Sequence, residues 1–242
     1  DGDVVGVLPL HHVRSRLFGD RLASSPQAAY GGPLAEDSDV AAALVLRAEE
    51  EAERRGVQYL ELRLREGDAV LPEGPRWHGT DLRVTIGGPI AADDDAILKA
   101  IPKKTRADCR KADELLTAEE SPSLFGEFHA LFAENQHQLG TPVLPRRFLA
   151  AVAAAPELGS RILVVRDAGR RAVAACLSFS FRERILPYYA GADRDALELR
   201  PNHGLYLNVL RAARRAGFTW YDFGRSKRDS GSYDFKRRWG FE

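Results

Sequence analysis

The chain has 242 residues, of which 44% are hydrophobic, and its 35 lysine and arginine residues balance 35 aspartate and glutamate residues. A net charge of zero excludes a whole-molecule field that draws the protein to nucleic acid or anionic lipid, so any anion site must be local. Two cysteines are too few for a disulfide-built secreted domain, and no apolar run reaches the ~20 residues that span a bilayer. With no export signal at the start, these features predict a cytoplasmic protein.

The first elements along the chain are predicted to be a strand pair, a helix and a further strand. Residues 4–10 are apolar and β-branched enough for a buried strand, and residues 21–24 are its predicted hairpin partner. Asp37, Ser38 and Asp39 each offer an N-cap to the helix, which ends at Gly56. Residues 57–64 then alternate between apolar and polar, as a half-buried strand does.

The second half of the chain repeats this order. It predicts strands over residues 172–181 and 185–189, a helix over 203–216 and a strand over 218–223. The letters also agree, because Arg54-Arg55-Gly56-Val57 resembles Arg214-Arg215-Ala216-Gly217 at the matching junction of helix and strand. We therefore predict an internal duplication, with a first half over residues 1–95 and a second half over residues 96–242.

Helices are predicted between the two repeated sets. Residues 93–116 favour one helix, with Pro102 at a turn or at a first helical position. Another helix is capped by Ser121 and runs to Leu139, and residues 148–152 start the next one.

The last segment has the composition that is least typical of ordinary packing. Residues 225–238 carry six basic and two acidic side chains, with serine and glycine among them. Tyr233, Phe235 and Trp239 interleave with these charges, which suits a ligand that has both phosphate and ring groups. The alternatives are a solvated charged loop, or aromatic side chains that only anchor the loop.

Two further patterns in the sequence are of the kind that can form a binding site. The turn Arg200-Pro201-Asn202-His203-Gly204 opens a predicted helix whose N-terminus could bind an anion, or Asn202 could simply cap that helix. The six histidines form no constellation of metal ligands, so we expect no metal. No serine-hydrolase elbow, phosphate-binding Walker loop or dinucleotide fingerprint occurs.

The C-terminal motif resembles a known family. Phe235-Lys236-Arg237-Arg238-Trp239-Gly240 is similar to the F-K-x-x-aromatic-G motif of the FemA/FemB/FemX-like peptidyltransferases. Residues 222–228 and 231–236 resemble the FemAB-related proteins found with exopolysaccharide and exosortase loci even more.

The resemblance implies an α/β fold of two tandem domains of the GNAT (acyl-CoA N-acyltransferase) type, with mixed sheets flanked by helices. It also implies that the chain starts and stops inside the family fold, without its first elements and its last strand. The activity that it implies is transfer of an acyl or aminoacyl group to an amine.

The resemblance makes Lys236 the motif lysine beside the acyl donor, where it holds a phosphate or steadies an oxyanion. Tyr189 and Asp222, at predicted strand ends, are the other catalytic candidates, because they could hydrogen-bond the amine or shuttle its proton. The substrate-binding candidates are Arg225, Ser226, Lys227, Arg228, Tyr233, Trp239, Asn202, Tyr30 and Arg106.

The expected partners are a phosphate-bearing donor, either acyl-CoA or aminoacyl-tRNA, and an amine of a cell-envelope or exopolysaccharide precursor. One alternative is an acetyl-CoA-dependent acetyltransferase of a small molecule or sugar. The other is a binding module that recognises a phosphorylated glycan carrier without turnover.

Overall fold

A computed structural model describes residues 2–17, 19–26, 28–64, 74–80 and 83–241. The chain forms two compact units, Asp1–Asp81 and Leu82–Glu242. The sequence predicts the boundary after residue 95 instead. The stretch from 83 to 95 falls in the second unit, because residues 83–89 form a strand of that unit's sheet.

The described part of the first unit contains one long helix and five short strands. Helix α1 spans Ser38–Arg55, as predicted. Asp37 accepts a hydrogen bond from the Val40 N–H at 2.8 Å, and Gly56 ends the helix in the left-handed region at φ 63°. The strands are β1 (Gly6–Val7), β2 (His11–Ser15), β3 (Gly19–Ala23), β4 (Leu34–Ala35) and β5 (Tyr59–Glu61).

The hairpin of the first unit is formed by β2 and β3, which pair antiparallel, and β5 then joins β3 in parallel. β1 pairs with β4 in a separate two-stranded sheet. The prediction that residues 4–10 and 21–24 form the hairpin is therefore wrong. Most side chains of β2 are exposed and polar, so its sequence resembles that of a connecting loop.

The second unit is built on one six-stranded sheet in the order β6-β11-β10-β9-β8-β7. β10 and β11 are parallel, and the other neighbouring strands are antiparallel. The strands are β6 (Arg83–Pro89), β7 (Thr117–Glu120), β8 (Arg161–Arg166), β9 (Ala172–Phe181), β10 (Arg184–Ala192) and β11 (Trp220–Lys227).

Helices cover both faces of this sheet, so the predicted α/β class with mixed sheets flanked by helices is confirmed. α3 and α6 pack on one face, and α4 and α5 pack on the other around Phe128, Phe132 and Leu149. The predicted helix over residues 93–116 is divided in two at Pro102. The helices are α2 (Asp94–Ala100), α3 (Lys103–Leu115), α4 (Phe125–Gln138), α5 (Arg146–Ala154), α6 (Pro201–Arg215) and α7 (Gly231–Arg237).

The two units share the order that the sequence predicts. In the first unit the hairpin β2–β3 is followed by α1 and by β5, which is parallel to β3. In the second unit the hairpin β9–β10 is followed by α6 and by β11, which is parallel to β10. The agreement in strand direction as well as in element order supports the duplication.

Candidate active site

The parallel strands β10 and β11 separate soon after they pair. Their register contains two pairs, Arg184 with Trp220 and Ile185 with Tyr221. β10 continues to Ala192 along β9, whereas β11 continues to Lys227 along β6. The result is a gap in the sheet at the carboxyl ends of two neighbouring strands, where backbone polar groups become available to a ligand.

Both strands are irregular where the gap opens. The register of β10 shifts between Pro187 and Tyr189, and that of β11 shifts between Asp222 and Arg225. Gly224 lies in the shifted part of β11 with φ 70°, a conformation that residues with a side chain rarely adopt. The bulge turns the backbone of β11 away from a regular ladder.

Lys236 reaches into this region from α7. Its ammonium group donates a hydrogen bond to the Phe223 carbonyl oxygen at 2.5 Å and lies 5.9 Å from the centre of the Phe223 ring. Burial lowers the pKa of Lys236 to about 8, and the Asp222 carboxylate opposes part of this shift. At neutral pH the site therefore holds a positive charge that is poorly hydrated.

The short helix α7 is held in place at both ends. Ser230 accepts a hydrogen bond from the Tyr233 N–H at its start. At its end the Thr105 hydroxyl of α3 donates to the Arg238 carbonyl oxygen at 2.7 Å. Gly240 follows at φ 85°, where a Cβ atom would lie 3.1 Å from Pro102 Cδ. These contacts fix the position from which Lys236 extends.

Asp222 is 6% exposed, and its Oδ1 accepts a hydrogen bond from the Gly224 N–H at 2.6 Å. Side chains alternate along a strand, and Tyr221 and Phe223 face the core beneath α3 and α6. Asp222 therefore faces the side of the sheet that α4 covers, at the edge of the gap.

Tyr189 lies on the same side of the sheet, on the β10 side of the gap. Its ring packs edge-on against Phe132 of α4 and against Phe179 of β9. Burial, with a smaller contribution from Tyr188, raises the pKa of Tyr189 to about 12. A tyrosine hydroxyl is protonated at neutral pH even without this shift, and the raised pKa keeps that of Tyr189 a hydrogen-bond donor at alkaline pH as well.

Comparison with known proteins assigns this arrangement to a family. Residues 103–237, more than half of the chain, match the family described as acetyltransferase (GNAT) domain. The chain belongs to this GNAT family. The search of curated proteins gave no match.

Solved structures have the same fold over the whole GNAT chain. The crystal structure of FemX matches 100% of this chain and 83% of its own with a TM-score of 0.69 and 15% identity. L-PGS from Bacillus licheniformis matches 98% and 78% with a TM-score of 0.61 and 14% identity. The C-terminal domain of a protein assigned as a lysylphosphatidylglycerol synthetase from Agrobacterium fabrum matches 96% and 81% with a TM-score of 0.60 and 14% identity.

The structure brings the three catalytic candidates of the GNAT chain to one gap. Asp222 and Tyr189 border it on β11 and β10, and Lys236 reaches β11 from α7. Of the binding candidates, Arg225 is half-buried on β11, and Lys227 and Arg228 are exposed at its end. Together with Ser226, these residues make four binding candidates that lie next to one another on β11 and the turn after it.

Two of the binding candidates are buried. Ser226 is 3% exposed, and its hydroxyl has no hydrogen-bond partner among the described residues. Trp239 is 2% exposed and packs on His203, Phe223 and Phe235. The anchoring alternative therefore describes Trp239, whose ring is not available to stack on a ligand. Tyr233 remains half-buried, with the Arg237 guanidinium 5.7 Å from its ring.

The remaining candidates are Asn202, Arg106 and Tyr30. Asn202 is the second residue of α6 and does not cap it, since Arg200 occupies the cap at φ 60° and pairs with Asp108 at 2.8 Å. The reading of Asn202 as an N-cap is therefore wrong. The Arg106 guanidinium donates to the Ile101 carbonyl oxygen at 3.0 Å, and Tyr30 belongs to the first unit.

Two groups of the site were missed by the sequence analysis. One is Gly224, which directly follows the predicted strand over residues 218–223 but lies inside the observed β11, where a glycine can mark a bulge. The other is the Phe223 carbonyl oxygen, a backbone atom that has no signal in the sequence. No described helix is both long and apolar enough to cross a membrane, and no metal-binding group of His, Cys, Asp and Glu occurs among the described residues.

Proposed function

We propose that this GNAT protein transfers an acyl or aminoacyl group to an amine, and that the reaction takes place in the gap between β10 and β11. The observation that carries the proposal is the ammonium group of Lys236, held against the Phe223 carbonyl oxygen where the two strands separate. A fixed charge in a site with little water stabilises developing negative charge far better than an exposed lysine does.

The reaction that fits this site is nucleophilic acyl transfer. The acceptor amine attacks the donor carbonyl carbon, a C–N bond forms, and the C–S bond of a thioester or the C–O bond of an aminoacyl ester breaks. The proton that the amine loses balances the departing thiolate or alkoxide, which leaves as a thiol or an alcohol. The carbonyl oxygen carries the negative charge of the tetrahedral intermediate. Lys236 stabilises that oxygen or a donor phosphate, and the protonated Tyr189 hydroxyl donates a hydrogen bond to a reacting group.

The donor in this proposal carries phosphate, as both acyl-CoA and aminoacyl-tRNA do. The end of β11 and the turn after it supply basic side chains for it, namely Arg225, Lys227 and Arg228. We further propose that the acceptor is an amine of a cell-envelope or exopolysaccharide precursor and that the reaction is cytoplasmic. Cys109 and Cys176 are buried free thiols, which suits a reducing compartment.

The proposal is tested by ligand-induced thermal shift with acetyl-CoA, CoA, a nonhydrolysable analogue of the aminoacyl-tRNA 3′ end and UDP-sugar precursors. A ligand at 100 times its Kd stabilises the folded protein by about 2.7 kcal/mol. Lys236→Ala should reduce the shift for the donor, and Lys111→Ala, which removes an exposed lysine of α3, should not. A shift by CoA compounds alone would identify a thioester donor, and a shift by the tRNA-end analogue alone an aminoacyl ester.

Turnover must accompany binding. Labelled donor that gives a shift is incubated with amine-bearing precursors, and the label is followed into the acceptor. Donor binding without any transfer, across all acceptors and at every pH tested, would contradict the proposal and favour a binding module.

A further inference from the structure

One peptide group lies between Asp222 and Lys236. The N–H of the Phe223–Gly224 peptide donates to Asp222 Oδ1 at 2.6 Å, and its carbonyl oxygen accepts from Lys236 Nζ at 2.5 Å. A trans peptide is planar, and its N–H and C=O point in opposite directions. The carboxylate therefore holds one end of the group, and the ammonium holds the other.

The charges at the two ends suit the dipole of this peptide. A negative group at the N–H and a positive group at the C=O each polarise it in the same sense, so each hydrogen bond strengthens the other. Charge-assisted hydrogen bonds are also stronger than neutral ones. A substitution at Asp222 should therefore change the pKa of Lys236 even when no substrate is bound.

The first unit provides a natural contrast at the matching place. Glu61 at the end of β5 and Arg63 just after it have the same spacing as Asp222 and Gly224, and they lie at the same distance from the start of the parallel pair. There Glu61 accepts from the Arg63 side chain at 2.7 Å, and the Arg63 N–H donates to the Ser24 hydroxyl of the neighbouring chain segment. In the second unit the shorter carboxylate of Asp222 instead accepts from the Gly224 N–H of its own strand, at the bulge of β11.

We propose that Asp222 is a positioning residue that orients Lys236 through the Phe223–Gly224 peptide group, rather than a group that exchanges protons with the acceptor. The role rests on the proposed function, because Lys236 matters only if acyl transfer takes place in this gap. The carboxylate fixes the bulge of β11, and the bulge presents the Phe223 carbonyl oxygen to the ammonium.

The test separates the charge of Asp222 from its hydrogen bond. In Asp222→Asn the amide oxygen can still accept from the Gly224 N–H, but the charge is lost. In Asp222→Ala both are lost. The matched control is Asp229→Asn, which removes the charge of an exposed aspartate in the same segment and suits its φ of 58°.

The main readout is the rate at which Lys236 of the full chain reacts with acetic anhydride at each pH, measured by peptide mass spectrometry. Loss of a nearby negative charge lowers a lysine pKa by roughly one unit, so Lys236 in Asp222→Asn should react roughly five-fold faster at pH 7. The alkaline limb of turnover should move down in pH with it, and Asp229→Asn should match the wild type. Asp222→Ala should also lower the melting temperature, which Asp222→Asn largely preserves.

Two results would overturn the inference. One is a labelling profile of Lys236 that is unchanged in Asp222→Asn. The other is turnover abolished at every pH in Asp222→Asn although the labelling profile of Lys236 shifts as expected, which is the behaviour of a direct proton carrier. Labelling needs no substrate, so a shifted profile in a protein without transfer activity would instead contradict the proposed function alone.

Discussion

The parallel strand pairs of the two units begin alike and end differently. Each begins with an arginine beside an aromatic ring: the Arg21 guanidinium lies 5.8 Å from the Tyr59 ring, and that of Arg184 lies 4.9 Å from the Trp220 ring. In the first unit the pair continues to Ala23 opposite Glu61. In the second it ends one position earlier, at Ile185 opposite Tyr221.

The hydrogen bonds that follow explain the difference. In the first unit the Ser24 N–H donates to the Glu61 carbonyl oxygen, and the Arg63 N–H donates to the Ser24 hydroxyl, both at 2.9 Å. These bonds keep the two strands together. In the second unit the corresponding N–H, that of Gly224, turns to Asp222 of its own strand. Two units with the same order of elements thus contain one closed strand pair and one gap.

The largest expected effect comes from removing the charge in the gap. Lys236→Met should lower turnover by about a hundred-fold or more, which is typical when a group that stabilises an oxyanion is lost. The melting temperature should not fall, because the substitution removes a poorly hydrated charge. Lys111→Met is the control and should keep wild-type turnover. Equal turnover in both variants would contradict the role of Lys236.

The bulge of β11 is tested by Gly224→Ala. The residue has φ 70°, and its Cβ atom would lie 3.2 Å from Leu186 Cδ1, so we expect a loss of about 1 to 3 kcal/mol in unfolding free energy. Turnover per folded molecule should fall about ten-fold, since Lys236 loses its acceptor geometry. Gly56→Ala is the matched control, with φ 63° and open space around the Cβ position. It should lose stability without loss of turnover, and a similar loss of turnover in both variants would argue against the bulge.

The buried charge should also make stability depend on pH. The pKa of Lys236 is about 8 in the folded protein and about 10.5 when unfolded, so between these values the unfolded chain binds more protons. The wild type should therefore gain about 2 kcal/mol in unfolding free energy relative to Lys236→Met as pH rises from 8 to 10.5. Denaturant unfolding of both proteins across this range measures the difference. A difference that stays flat, or that falls with pH, would contradict the lowered pKa.

The smallest effect should come from opening the closed pair. Ser24 is fully buried, and Ser24→Ala leaves the Arg63 N–H without its acceptor, at a cost of about 1 to 2 kcal/mol in unfolding free energy. Turnover per folded molecule should not change. A loss of turnover larger than the loss of folded protein would mean that the closed pair takes part in the reaction.

The sequence predicted the framework of the molecule better than its details. Periodicity and caps predicted α1, because these signals are local. The repeated element order predicts a duplication, and the two units share that order and its strand directions. The strand partners in the first unit were predicted wrongly: β1 pairs with β4, and β2 pairs with β3. The partner of a short strand is decided by contacts that are distant in the sequence. The division of the helix at Pro102 could have been predicted from the sequence, because proline disfavours the helical conformation in the residue before it.

The candidate site was predicted in part. The family motif predicted Lys236, and strand ends predicted Tyr189 and Asp222, and all three border the gap. The sequence left open whether Trp239 binds a ligand or packs in the core, where the structure places it. An aromatic residue among basic residues has the same sequence pattern in both cases. The Phe223 carbonyl oxygen has no signature at all in the sequence.

The measurement that tests the central claim most directly is protection of Lys236 from acetic anhydride by the donor that stabilises the protein. The account predicts that saturating donor slows labelling of Lys236 several-fold and leaves labelling of Lys111 unchanged. Labelling of Lys236 at the same rate with and without a donor that is demonstrably bound would place the donor outside the gap and contradict the account.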